Sequence, residues 1–284
     1  IHNLLSGSGE VIMSLGYVFN SEQIGNLIQF AGLISLIGLV RKIAKNSFIY
    51  SLIILSTPVV LFLCSSPKPQ LFPIASNALV FALVFSKINF DKINKRNLIY
   101  LSTFIVILLI NSVNIKFSFI LSSTIIYFYL LYFFFKEKKL KYLICISIIS
   151  LCVFYLPFVI WKFHNWGGNI ANYILNPFPD GNIAVENLKD YIVNHKRNLP
   201  YYYIFIPKSF GDYTNVFGLS FLFFLLIFKF SKSSKILIIL ISVFYYSIIF
   251  KFGQISARFL IEPLFWCLII MSREKISINK FLKI

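Results

Sequence analysis

Charge is scarce in this sequence, and negative charge most of all. Only 13% of the 284 residues are Asp, Glu, Lys or Arg, about half the share of an ordinary soluble domain. That is too little polar surface to wrap one globular core in water. Cysteine is also scarce: Cys64, Cys145, Cys152 and Cys267 sit inside or at the ends of apolar runs, with no C-x-x-C or other metal-ligand spacing. They read as small apolar side chains, and a structural zinc module is excluded. There is no Gly-rich phosphate loop, no H-E-x-x-H and no nucleophile elbow, so the motif-bearing soluble enzyme classes are excluded. The period-two alternation of a membrane β-barrel is missing. So is a convincing internal repeat, which counts against a transporter or flippase.

Apolar residues fill the space left by charge. They make up 58% of the chain, with a mean hydropathy of +0.80, more than one core can bury. Nine apolar segments stand out, near 24–40, 48–64, 71–85, 98–110, 117–135, 142–161, 216–228, 236–250 and 259–271. Backbone in lipid must satisfy its own hydrogen bonds, so each is expected to be a helix. The expected fold is therefore all-α, a polytopic transmembrane bundle of about nine spans.

The net charge of +17 would suggest a nucleic-acid partner in a soluble protein. Here its distribution suggests a membrane instead, and no nucleic-acid partner is expected. Eighteen of the 27 basic residues fall in alternate short connections: Arg41, Lys42 and Lys45; Lys87, Lys92, Lys95 and Arg96; Lys136, Lys138, Lys139 and Lys141; Lys229, Lys232 and Lys235; Arg273, Lys275, Lys280 and Lys283. By the positive-inside rule these connections are cytoplasmic, which makes the first segment run inward and the carboxyl terminus cytoplasmic. Tyr127, Phe128, Tyr129, Tyr132, Phe133, Phe134 and Phe135 run straight into Lys136, as an aromatic belt meets a cytoplasmic charge cluster. Residues 1–23 are then the outer tail of a first external loop. With no initiator methionine at Ile1, one earlier helix is expected upstream.

One external connection, 162–215, is too long and polar to be a turn. Within it Ala184, Leu188, Tyr191 and Ile192 follow helical spacing behind Asn182 as N-cap, which predicts a short amphipathic helix. Candidate chemistry gathers at the external face, where polar residues beside lipid have a purpose. Arg258 and Glu262 are four apart at the outer end of the last segment, with Pro263 next. Paired on one helical face, they would leave guanidinium donors for a phosphate. Lys68 lies between Pro67 and Pro69, which fix where its amine points. In the long loop His164, Asp180, Glu186, Asp190, His195, Asp212 and Lys208 are candidates, near Tyr201, Tyr202 and Tyr203. Carboxylates there are the groups able to act as a base or hold a divalent cation such as Mg or Mn. Glu10 follows Ser6-Gly7-Ser8-Gly9 and Glu22 lies further along the same tail. Their competing role is to neutralise the start of a helix.

The layout resembles the GT-C superfamily of membrane glycosyltransferases, in character its dolichyl-phosphate-mannose-protein mannosyltransferase-like and aminoarabinose-transferase-like members. The likeness rests on Arg258-Phe259-Leu260-Ile261-Glu262-Pro263 opening the last segment, on Ser65-Ser66-Pro67-Lys68-Pro69-Gln70 before a short one, and on the large external loop. The resemblance implies a polyprenyl-phosphate sugar donor used at the outer face of the plasma membrane. It implies inverting transfer, with or without a metal, and a base in the first external loop, of which Glu10 is the residue present here. Arg258 becomes the contact to the lipid phosphate and Lys68 a second one. Polymerases and ligases of surface polysaccharide share this layout but favour arginine-rich loops, whereas the loop here holds only Arg197.

Overall fold

In a computed structural model of the chain, the described residues are 8–9, 16, 18–21, 23–44, 47–66, 69–85, 94–136, 138–166, 186, 190, 216–218, 228–229, 241, 258, 260–272 and 277–278. Nearly all are helical. In chain order the helices are α1 (Ile24–Ile43), α2 (Ser47–Leu55), α3 (Pro58–Cys64), α4 (Leu71–Phe85), α5 (Lys95–Ile115), α6 (Ile120–Lys136), α7 (Leu140–Ser150), α8 (Leu156–Trp166) and α9 (Ile261–Ser272). A π-helical turn, Leu151–Tyr155, joins α7 to α8 without a break. Among the described residues the strand content is one two-residue antiparallel ladder, β1 (Phe228–Lys229) with β2 (Ser277–Ile278).

Among the described residues, three stretches are long and apolar enough to cross a membrane: Ile24–Ile43, Lys95–Ile115 and Leu140–Trp161. At 1.5 Å per residue each covers about 30 Å, the thickness of the hydrocarbon layer. Little of Leu140–Trp161 is buried by protein, and Ile148, Ile149, Val153, Phe154, Ile160 and Trp161 face outward. Such a surface needs lipid to cover it. The chain is an α-helical membrane protein.

The chain divides into two compact units, residues 1–25 with 68–186 and residues 26–67 with 187–284. The first is an up-and-down bundle of α4 to α8. Asn94 caps α5 by accepting a hydrogen bond from the Asn97 N–H at 2.9 Å, the usual remedy for the free donors of a helix start. Near the other end of α5, the Ser112 hydroxyl donates to the Pro73 carbonyl in the first turn of α4 at 3.4 Å. Asn77, fully buried on α4, donates through Nδ2 to the hydroxyls of Ser122 (3.0 Å) and Ser123 (3.3 Å) at the start of α6. The starts of α4 and α6 therefore lie with the end of α5. At the opposite end Lys95, opening α5, stands over the ring of Tyr142, near the start of α7.

Two irregularities in this bundle have local causes. Lys138 links α6 to α7 at φ 55°, a left-handed conformation that costs a side-chain-bearing residue about 1 kcal/mol or more. It persists because the turn feeds the Lys138 and Lys139 N–H groups to the carbonyls of Phe135 and Phe134, closing the helix as a left-handed cap does. Lys138→Gly should therefore stabilise the protein by about 1 kcal/mol, read as a raised thermal unfolding midpoint. A lowered midpoint would mean that the lysine side chain itself holds the turn. The π turn precedes Pro157, whose ring removes an N–H from the ladder. The helix widens there, and Asn114 Nδ2 of α5 donates to the Phe154 carbonyl at 2.9 Å.

In the second unit, the apolar segment expected to be one span over 48–64 is two helices. The chain breaks at Ser56–Thr57 because Pro58, as the first residue of α3, has no N–H to give and crowds the preceding turn. The Thr57 hydroxyl donates back to the Ile53 carbonyl at 2.7 Å, and the Val59 N–H reaches the Val216 carbonyl at 3.1 Å. Val216–Gly218 is non-helical, so the helix expected from Val216 does not begin there. Phe228, its expected last residue, pairs with Ile278 in the ladder. The Tyr50 hydroxyl of α2 donates to the Met271 carbonyl near the end of α9 at 2.8 Å. Every residue of α9 is buried, so this helix is interior rather than lipid-facing.

Candidate functional site

The candidate site residues divide between the two units. In the first unit, Gly9 packs against the end of the bundle away from Lys95 and Tyr142. A methyl group added there would lie 2.7 Å from Pro69 Cβ and 2.6 Å from Ile115 Cγ2. That spacing tolerates no side chain, so only glycine allows this close approach. Glu10 and Lys68 themselves lie outside the described residues. Their chain neighbours Gly9 and Pro69 are in contact, which brings the two stretches bearing these candidates to one end of the bundle.

His164 is in the last turn of α8 and exposed. It is ten residues beyond Phe154, about 15 Å along the helix axis from the level where Asn114 meets the π turn. No contact links His164 to Gly9 or Pro69 among the described residues. Glu186 and Asp190 are helical and exposed; Asn182, Ala184, Leu188, Tyr191 and Ile192 of the predicted amphipathic helix lie outside the described residues. Glu22, Asp180, His195, Lys208, Asp212 and the Tyr201–Tyr203 run lie outside the described residues.

Arg258 and Glu262 belong to the second unit, and their expected geometry needs correction. The helix starts at Ile261, so Arg258 precedes it and the two are not four apart on one continuous helix. Pro263 explains the start. In a helix beginning at Arg258 its ring would meet the carbonyl of residue 259, whereas in the first turn of α9 its missing N–H is harmless. Glu262 is 5% exposed in that turn and Arg258 is half-buried, with Nε shielded from solvent. A buried carboxylate in a fully buried helix is costly unless it is engaged, and both residues make polar interactions. The helix N-terminus adds positive potential beside Glu262.

A family described as the DUF1420 N-terminal domain matches residues 1–283. The chain belongs to that family. No curated protein and no solved structure matches it.

In this DUF1420 domain, no three His, Cys, Asp or Glu side chains converge as metal ligands among the described residues. The acidic and histidine candidates for a divalent cation lie mostly outside them. What sequence reasoning misses is the buried polar seam of Asn77, Ser122 and Ser123. Its only signal is an asparagine inside the apolar run 71–85, facing the one adjacent serine pair within the apolar run of α6. Such groups hold membrane helices together because lipid offers their donors nothing.

Proposed function

We propose that this domain is a multi-pass plasma-membrane glycosyltransferase. On this reading it moves a sugar from a polyprenyl-phosphate donor to a lipid, glycan or protein acceptor at the outer face. It has about nine spans, and the basic ends and the carboxyl terminus are cytoplasmic. The observation that carries the reading is the contact of Gly9 with Pro69 at the less basic end of the bundle. A polyprenyl donor keeps its tail in lipid and its phosphosugar at the interface, so its site must join helix ends to external loops. Glu10 takes the proton from the acceptor hydroxyl. That oxygen bonds to the anomeric carbon as the sugar–phosphate bond breaks, and Lys68 stabilises charge building on the departing phosphate. Arg258 keeps the role implied by the GT-C resemblance, a contact to a lipid phosphate, and is tested separately below.

A transporter is the second reading, favoured by the broken α2–α3 helix, since discontinuous helices build substrate sites in transporters. The break is filled, however: Val216 occupies the Val59 N–H, a donor that a substrate would need.

The test is to follow release of polyprenyl phosphate from a polyprenyl-phosphate sugar by the full-length protein in nanodiscs. Release is expected to require acceptor and to fall about 100-fold or more in Glu10→Gln, the scale of a lost general base. Donor that stays intact under all conditions, or full activity in the variant, would sink the assignment of Glu10.

A further inference from the structure

The opposite end of the first unit concentrates charge of one sign. Lys95 Nζ lies 5.3 Å from the centroid of the Tyr142 ring, and Lys141 Nζ lies 5.4 Å from the same ring. Two cations from two helices thus share one aromatic ring. Arg96 covers the Tyr100 ring at 5.5 Å, with its Nε donating to the Tyr100 hydroxyl at 3.1 Å. All three cations are exposed, and so are Lys136 and Lys138 beside them. Neither α5 nor α7 carries an acidic residue in its first turn. In the sequence, residues 87–96 and 136–141 hold eight basic residues against two acidic ones, Asp91 and Glu137, an excess of six positive charges. Like charges held this close repel unless an anion lies among them.

α5 and the continuous α7–α8 stretch to Trp161 are membrane-length and apolar from this end onward, so the cluster sits at the level of lipid phosphates. Tyr100 and Tyr142 mark the same boundary, where tyrosine anchors between lipid and water. A soluble anion would be screened and in exchange there. A lipid headgroup is held at the surface by its own chains. We propose that the ends of α5 and α7 form a headgroup site for an anionic phospholipid, with Lys95 and Lys141 as the phosphate contacts and Arg96 alongside. The site is at the other end of the bundle from Gly9 and Pro69, and stands whether or not the transferase reading does.

The test is native mass spectrometry of the full-length protein released from micelles carrying equal phosphatidylglycerol and phosphatidylcholine of identical chains. The wild type should retain phosphatidylglycerol at least tenfold over phosphatidylcholine. Each lysine near a bilayer surface is worth roughly fivefold, so K95Q/K141Q should lose retention about 25-fold, and K95R/K141R should keep it. The thermal midpoint of K95Q/K141Q in phosphatidylcholine should match the wild type, since both side chains are exposed. Equal retention of the two lipids, or undiminished preference in K95Q/K141Q, would overturn the site. Displacement of phosphatidylglycerol by millimolar inorganic phosphate would reassign it to a soluble phosphate and overturn the lipid proposal.

Discussion

Gly218→Val destabilises the protein by about 3 kcal/mol. Gly218 has φ +76°, where a side-chain-bearing residue costs about 1–2 kcal/mol. An added Cβ would lie 3.1 Å from Pro58 Cδ, and forcing atoms into such a contact costs about 1–3 kcal/mol more. Pro58 cannot give way, because its ring fixes φ and its position opens α3. The strain falls on the segment that closes the α2–α3 break, so the Val59 N–H bond to Val216 is the first interaction at risk. Thermal unfolding in detergent should show Gly218→Val several degrees below the wild type and Gly218→Ala between them. Unchanged midpoints in both would mean that Val216–Gly218 does not seal the break.

If the chain is the transferase proposed above, Arg258→Ala should weaken binding of a polyprenyl-phosphate donor about 100-fold. A charge-assisted hydrogen bond to phosphate is worth about 1.5–3 kcal/mol, and a guanidinium makes two in parallel where lysine offers a single point charge. Arg258→Lys should therefore fall between alanine and wild type. Arg258 is half-buried and makes polar interactions in the fold, so its thermal midpoint must be measured alongside. A loss of stability with unchanged donor affinity would make its role structural.

Much of the helical layout is legible in the sequence, because hydropathy reports the pressure that lipid puts on the backbone. The run 71–85 is α4 residue for residue, and 24–40, 117–135 and 142–161 lie on α1, α6 and α7–α8, displaced by a few residues at their ends. The gathering of Lys95, Arg96, Lys136, Lys138 and Lys141 at one end of the bundle is also legible, since alternate connections of short antiparallel helices must share an end. The break at Ser56–Pro58 is hidden because a hydropathy window averages across it, and the chain that fills it comes from Val216, far away in sequence. Arg258 and Glu262 read as one helical face because spacing alone does not say where a helix begins. Pro263 carries that information, and its weight shows only once α9 is seen to start at Ile261. The Gly9–Pro69 contact has no sequence signature beyond the small residues around Gly9, since it depends on tertiary packing against Ile115.

The sidedness of the first unit decides whether Gly9 and Pro69 face outward. Ser118 and Lys138 are exposed residues in turns at opposite ends of the bundle. Single cysteines at these positions, in a chain whose four native cysteines are replaced, are treated with a membrane-impermeant maleimide in intact cells. Ser118→Cys is expected to be labelled from outside and Lys138→Cys only after permeabilisation. Labelling of both from the same side would contradict this sidedness, removing the membrane-crossing bundle and with it the external site.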